Sequence, residues 1–155
     1  MVGDDAQCAA AATGRLRAPG HSSHWGNVNN NVVIVRVPPT PAHLAMLRTA
    51  IGGIAARDRF TIDQIDDLRM AVEEAATQLL HHVPKGRIEM TVVPTETGLE
   101  VRLAAQVDAP AKVIDESSFS WMILRALADD LRVESQRAGS TVVLSKHRLI
   151  SRDQE

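Results

Sequence analysis

Cysteine, aromatic side chains and an excess of either charge are all scarce in these 155 residues, and each scarcity removes a class of function. A single cysteine, Cys8, excludes an intrachain disulfide and fits a reducing compartment. There is no Tyr, with two Phe and two Trp, and 17 basic against 19 acidic residues leave a net charge of -2. Nucleic-acid binding calls for a basic face or aromatic platforms, so no nucleic-acid partner is expected. No apolar run approaches the roughly 20 residues of a membrane span. The N-terminus has two Asp before an Ala-rich run broken by Thr13, Gly14 and Arg15, unlike a secretory signal. These absences predict a cytoplasmic protein without membrane contact, whose partner is a protein or a small molecule.

What is present reads as one globular domain. Hydrophobic residues make up 45% of the chain and charged residues 23%, an ordinary globular balance. Residues 1–31 are rich in Ala, Gly, Ser, His and Asn, lack helical or strand periodicity, and are expected to form a flexible tail. His21 and His24 lie there without a third ligand nearby, too little for a metal site. The domain is expected over 32–148, with a short tail at 149–155.

Periodicity sets the elements inside it. The β-branched run 32–37 predicts a strand stopped by Pro38-Pro39. Thr40 as N-cap, Pro41 at the first helical position, and Leu44, Leu47, Ile51 and Ile54 predict a helix to about Arg57, in which Gly52-Gly53 either weakens the helix or admits another backbone. Thr61 and Gln64 have capping-box spacing, and Ile65, Leu68, Val72, Ala75, Ala76 and Leu79 continue at helical intervals to residue 82. Alternation then predicts strands over 87–94 and 99–107 around a turn at 95–98, a third helix from Phe119 to about 129, and a final hairpin of 131–135 with 141–146 around Ala138-Gly139. The order β-α-α-β-β-α-β-β suits an α+β two-layer sandwich, a mainly antiparallel sheet with its helices on one face.

The second helix carries a polar stripe. At about 100° per residue, Asp67, Met70, Glu74, Gln78 and His81 fall on the side opposite Leu68, Val72 and Leu79 and are expected to face away from the sheet. A solvated helix face accounts for such a stripe on composition alone. A carboxylate one turn from an amide is also a known way to set a base beside a phosphate-bound Mg²⁺.

The run 67–81, DLRMAVEEAATQLLH, resembles the first ATP-site motif of bacterial anti-sigma factors of the serine-kinase type, within the histidine-kinase-like ATPase superfamily, where Glu-Ala-x-Thr-Asn is followed by a His. The stretch 123–130, ILRALADD, is similar to that family's third helix, and Gly139-Ser140-Thr141-Val142 to its closing Gly-Thr-x-Val strand. The resemblance spans about 32–148. It implies the histidine-kinase-like ATPase type of two-layer sandwich. It also implies Mg·ATP as cofactor, with Glu74 as general base, Gln78 at the Mg²⁺-binding Asn position, His81 after it, and Gly139 and Thr141 at the nucleotide. The implied partners are an alternative sigma factor and an anti-anti-sigma antagonist, and homodimerisation is implied as well.

Three departures fall on nucleotide handling. The adenine-binding Asp-x-Gly is Asp108-Ala109-Pro110, which keeps the acid and loses the glycine. The phosphate-cradling Gly-x-Gly is matched by Ser118-Phe119-Ser120, followed by Trp121, which puts side chains where bare backbone should approach phosphate. Gln78 is longer than Asn by about one bond length, which displaces a metal that tolerates poor octahedral geometry badly. The resemblance therefore implies a degenerate kinase acting as an anti-sigma factor, with an active serine kinase as the alternative. Trp121 is expected in the core, and His81 is equally well explained as a helix-end histidine near the C-terminal dipole.

Overall fold

The computed structural model describes residues 31–82, 86–105, 115–136 and 139–149. Among these, the elements are β1 (Val33–Val37), α1 (Pro41–Arg57), α2 (Ile62–His82), β2 (Ile88–Pro94), β3 (Gly98–Ala105), α3 (Phe119–Leu127), β4 (Asp130–Gln136) and β5 (Gly139–His147). This is the predicted order. The strands form one five-stranded sheet in the order β1-β2-β3-β5-β4, and every neighbouring pair is antiparallel. Among the described residues no helix is long and apolar enough to cross a membrane.

Alternation along the strands separates two faces. Val37, Ile88, Met90, Val92, Val101, Leu103, Val142 and Leu144 point toward the helices and join Leu47, Ile51, Leu68, Val72 and Leu79 in one core. The other face holds an ion-pair lattice: Arg102 bonds Glu100 and Glu134, and Arg132 bonds Glu100, Glu134 and Asp130. Burial lowers the pKa of Arg132, but its hydrogen bonds to Glu134 and Glu100 outweigh that and leave it raised. Val143, in register between Arg102 and Arg132, is fully buried on this face under their side chains.

The helix ends follow local chemistry. The Thr61 N–H donates to Gln64 Oε1 and the Gln64 N–H to Thr61 Oγ1, both at 3.3 Å, which is the reciprocal capping box expected at the start of α2. At the end of α1 the Arg59 N–H donates to the Ala56 carbonyl (3.2 Å) and the Phe60 N–H to that of Ala55 (3.1 Å). This Schellman motif usually carries glycine at the left-handed position, but here Arg59 holds it at φ 63°. Arg59→Gly is therefore expected to stabilise the fold by about 1 kcal/mol, read as a rise in the urea midpoint at unchanged m-value.

Two local expectations are corrected. Gly52 admits no backbone: a Cβ there would meet the Arg69 guanidinium at 2.4 Å, while Gly53 faces open space. The third helix stops at Leu127, because the Asp129 N–H already pairs with the Ser145 carbonyl (2.9 Å) and its carboxylate accepts from the His147 N–H (2.7 Å).

Candidate functional site

The site lies along the seam between α2 and α3, which run antiparallel. Near one end Gln78 of α2 meets Ser120 of α3. At the other, the Lys146 ammonium reaches Asp67 of α2 (2.9 Å) and the Leu127 carbonyl at the end of α3 (2.7 Å). Lys146 belongs to β5 and is only 8% exposed.

The polar stripe is thus corrected in direction. Met70 and His81 do face outward. Asp67 and Gln78, roughly a quarter turn from the core stripe, instead flank it and touch β5 and α3. A helix packed against a sheet below and a helix beside it has only a narrow solvent face, so a polar residue on its flank meets the neighbouring helix.

Glu74, Gln78 and Ser120 come together. Gln78 Nε2 donates to Glu74 Oε1 (3.2 Å) and to Ser120 Oγ (2.8 Å). An ionised carboxylate only accepts, so the Gln78 amide must turn its nitrogen toward Glu74. Ser118 caps α3, its hydroxyl oxygen accepting from the Trp121 N–H (3.2 Å). That uses a backbone donor which a phosphate at this helix end would otherwise take. Trp121 itself is buried in the core, as expected.

The remaining expected residues are placed less uniformly. His81 is exposed one turn beyond Gln78. Asp108 lies outside the described residues. Gly139 opens β5 opposite Gln136. Thr141 pairs with Ala104 and Glu134 on the lattice face of the sheet, away from α2. The residue that the fold turns toward the helices is its neighbour Ser140, buried and opposite Ala105 at the end of β3. Sequence reasoning missed Ser140 and Lys146. Both share the alternation of Val142 and Leu144, so period-two counting would have placed them on the inner face.

As they stand, these residues fit a magnesium–phosphate group poorly. Mg²⁺ takes oxygen ligands in strict geometry, whereas the Gln78 amide that would supply one is already bonded to both Glu74 and Ser120. Two serine side chains stand at the start of α3, one of them closing its own helix end.

Comparison with known proteins follows the same lines. The family model of the histidine kinase-like ATPase domain matches residues 37–146. The chain is 27% identical over 140 residues to the serine-protein kinase RsbW of Bacillus subtilis (strain 168), covering 77% of this chain and 87% of that protein. It is 36% identical over 91 residues to the anti-sigma-F factor RsbW of Mycobacterium tuberculosis (strain ATCC 25618 / H37Rv), covering 58% of this chain and 54% of that one. Among solved structures, the RsbU and RsbW domains of Rv1364c from Mycobacterium tuberculosis superpose with a TM-score of 0.59 at 13% identity. That match covers 77% of this chain and 34% of that one, a likeness of fold.

Proposed function

The chain belongs to the histidine kinase-like ATPase domain family, and from that premise we propose that it is an anti-sigma factor. It holds an alternative sigma factor away from RNA polymerase and releases it when an anti-anti-sigma antagonist competes. The observation that carries this reading is the family match, joined to relatives whose own names are anti-sigma-F factor and serine-protein kinase RsbW. The working unit is the domain at 32–148, acting in the cytoplasm as a homodimer. Capture of this kind needs complementary surfaces and no chemistry, which suits a seam whose polar side chains are already bonded to one another.

The test is co-purification of the tagged chain with each sigma factor of the cell in turn. Retention of one of them, and its displacement by the antagonist, is the expected result. Failure to retain any sigma factor would sink the reading.

A second reading, an ATP-dependent serine kinase acting on the antagonist, is favoured by one feature: Glu74 occupies the position of the family's base on α2. Here ATP would lie beside Glu74, Gln78, His81, Ser118, Ser120 and Gly139, with Asp108 at adenine and Gln78 at the metal. Transfer of labelled γ-phosphate to the antagonist, abolished in Glu74→Ala, would establish it.

A further inference from the structure

Two of the departures from the family pattern answer one another in space. Gln78 is one methylene longer than the expected Asn, and Ser120 adds a hydroxyl where a glycine is expected. The longer amide spans to the added hydroxyl at 2.8 Å while it also holds Glu74 at 3.2 Å. An Asn at this position would fall short of Ser120 by about 1.5 Å, and a glycine at 120 would offer nothing to bond.

The helix that this contact reaches needs holding. α3 has nine residues, too few to be stable alone. It buries Trp121 and Leu124 but leaves Phe119 71% and Met122 59% exposed. Among the described residues, polar ties from α3 to the rest of the domain stand near its two ends: Ser120 to Gln78, and the Leu127 carbonyl to Lys146, which also holds Asp67 of α2.

From this geometry we infer that Glu74, Gln78 and Ser120 form a built-in clasp that fastens α3 to α2 in place of a bound nucleotide, so that partner capture proceeds without Mg·ATP. The clasp converts residues of a ligand site into a structural tie. Gln78 and Ser120 are positioning residues in it. Its consequence for capture rests on the anti-sigma reading above, whereas the clasp itself does not.

The experiment uses the full chain. Hydrogen exchange of the α3 amides is compared in wild type, Gln78→Asn, Ser120→Ala and the double variant. Each single change is expected to speed exchange there roughly fivefold, and the double variant no more than either alone, because the same contact between α2 and α3 is lost in all three. Millimolar Mg·ATP is expected to leave the wild-type melting temperature unchanged, and sigma capture to be equal with Mg·ATP or with EDTA. A rise in wild-type melting temperature with Mg·ATP, α3 exchange indifferent to both variants, or capture that appears only with Mg·ATP would overturn the proposal. Absence of capture under both conditions would strike the anti-sigma reading and leave exchange and melting to decide the clasp.

Discussion

Substituting alanine for Gly98 lowers the melting temperature by about 10 °C, a loss of about 3 kcal/mol. A Cβ at this position would stand 1.9 Å from the Lys146 carbonyl oxygen and 2.9 Å from the Lys146 carbonyl carbon and the His147 Cα. All three are backbone atoms, so no rotamer change relieves the clash. β5 cannot withdraw either, because it is paired with β3 through His147 on one side and with β4 through Ser145 on the other. Moving its end would also break the bond from the Arg148 N–H to the Thr97 carbonyl (2.8 Å) and strain the Gln64 side chain's bond to the His147 carbonyl (2.6 Å). A thermal melt of Gly98→Ala measures the effect. A drop of under about 2 °C would mean that the strand end yields freely.

Asp67→Ala is expected to cost about 2 kcal/mol, and most of that loss should return in the double variant Asp67→Ala/Lys146→Met. Lys146 is buried among β5, α2 and α3, and removing Asp67 leaves its ammonium bonded to the neutral Leu127 carbonyl without the carboxylate. An unpaired buried charge costs more than an apolar side chain of similar volume in the same place. The Asp67 side chain is 38% exposed, so solvent screening keeps the figure below that of a fully enclosed pair. A urea-melt double-mutant cycle reads the coupling directly. Additive losses would show that the two side chains act independently.

Both predictions depend on contacts that local reading does not supply. Gly98 reads in the sequence as the last residue of a hairpin turn, and it does take part in one, its N–H donating to Thr95 Oγ1 (2.9 Å) and its carbonyl accepting from the Thr95 N–H (2.9 Å). The demand for glycine comes from elsewhere, from a strand some fifty residues on that crosses too close for any side chain. Asp67 reads as part of a solvated stripe. Helical arithmetic sets its angle on α2 correctly but does not reveal that Lys146, 79 residues away, stands at that angle.

Glu74 and Gln78 illustrate the division from the other side. Their spacing on one helix is plain in the sequence, and the 3.2 Å contact between them is a property of that helix. The presence of Ser120 at 2.8 Å, 42 residues on, is a property of how α3 docks. The face that Thr141 takes was hidden for a related reason. Matching a motif along a strand does not say which face a residue takes until the partner strands set the register, and the register puts Ser140 inward and Thr141 outward.

The sequence by itself determined the eight elements and their order. Each is specified by the period of its own apolar residues and by caps and breakers within a turn of its ends: Thr61 with Gln64, Pro38-Pro39, the alternation of β2 and β3. Only the tertiary structure decided that β5 lies between β3 and β4, and that α3 lies against α2 with Gln78 bonded to Ser120. Periodicity is a local property of the chain. The choice of neighbour rests on packing and hydrogen bonds between residues far apart in sequence, and these exist only once the chain has folded.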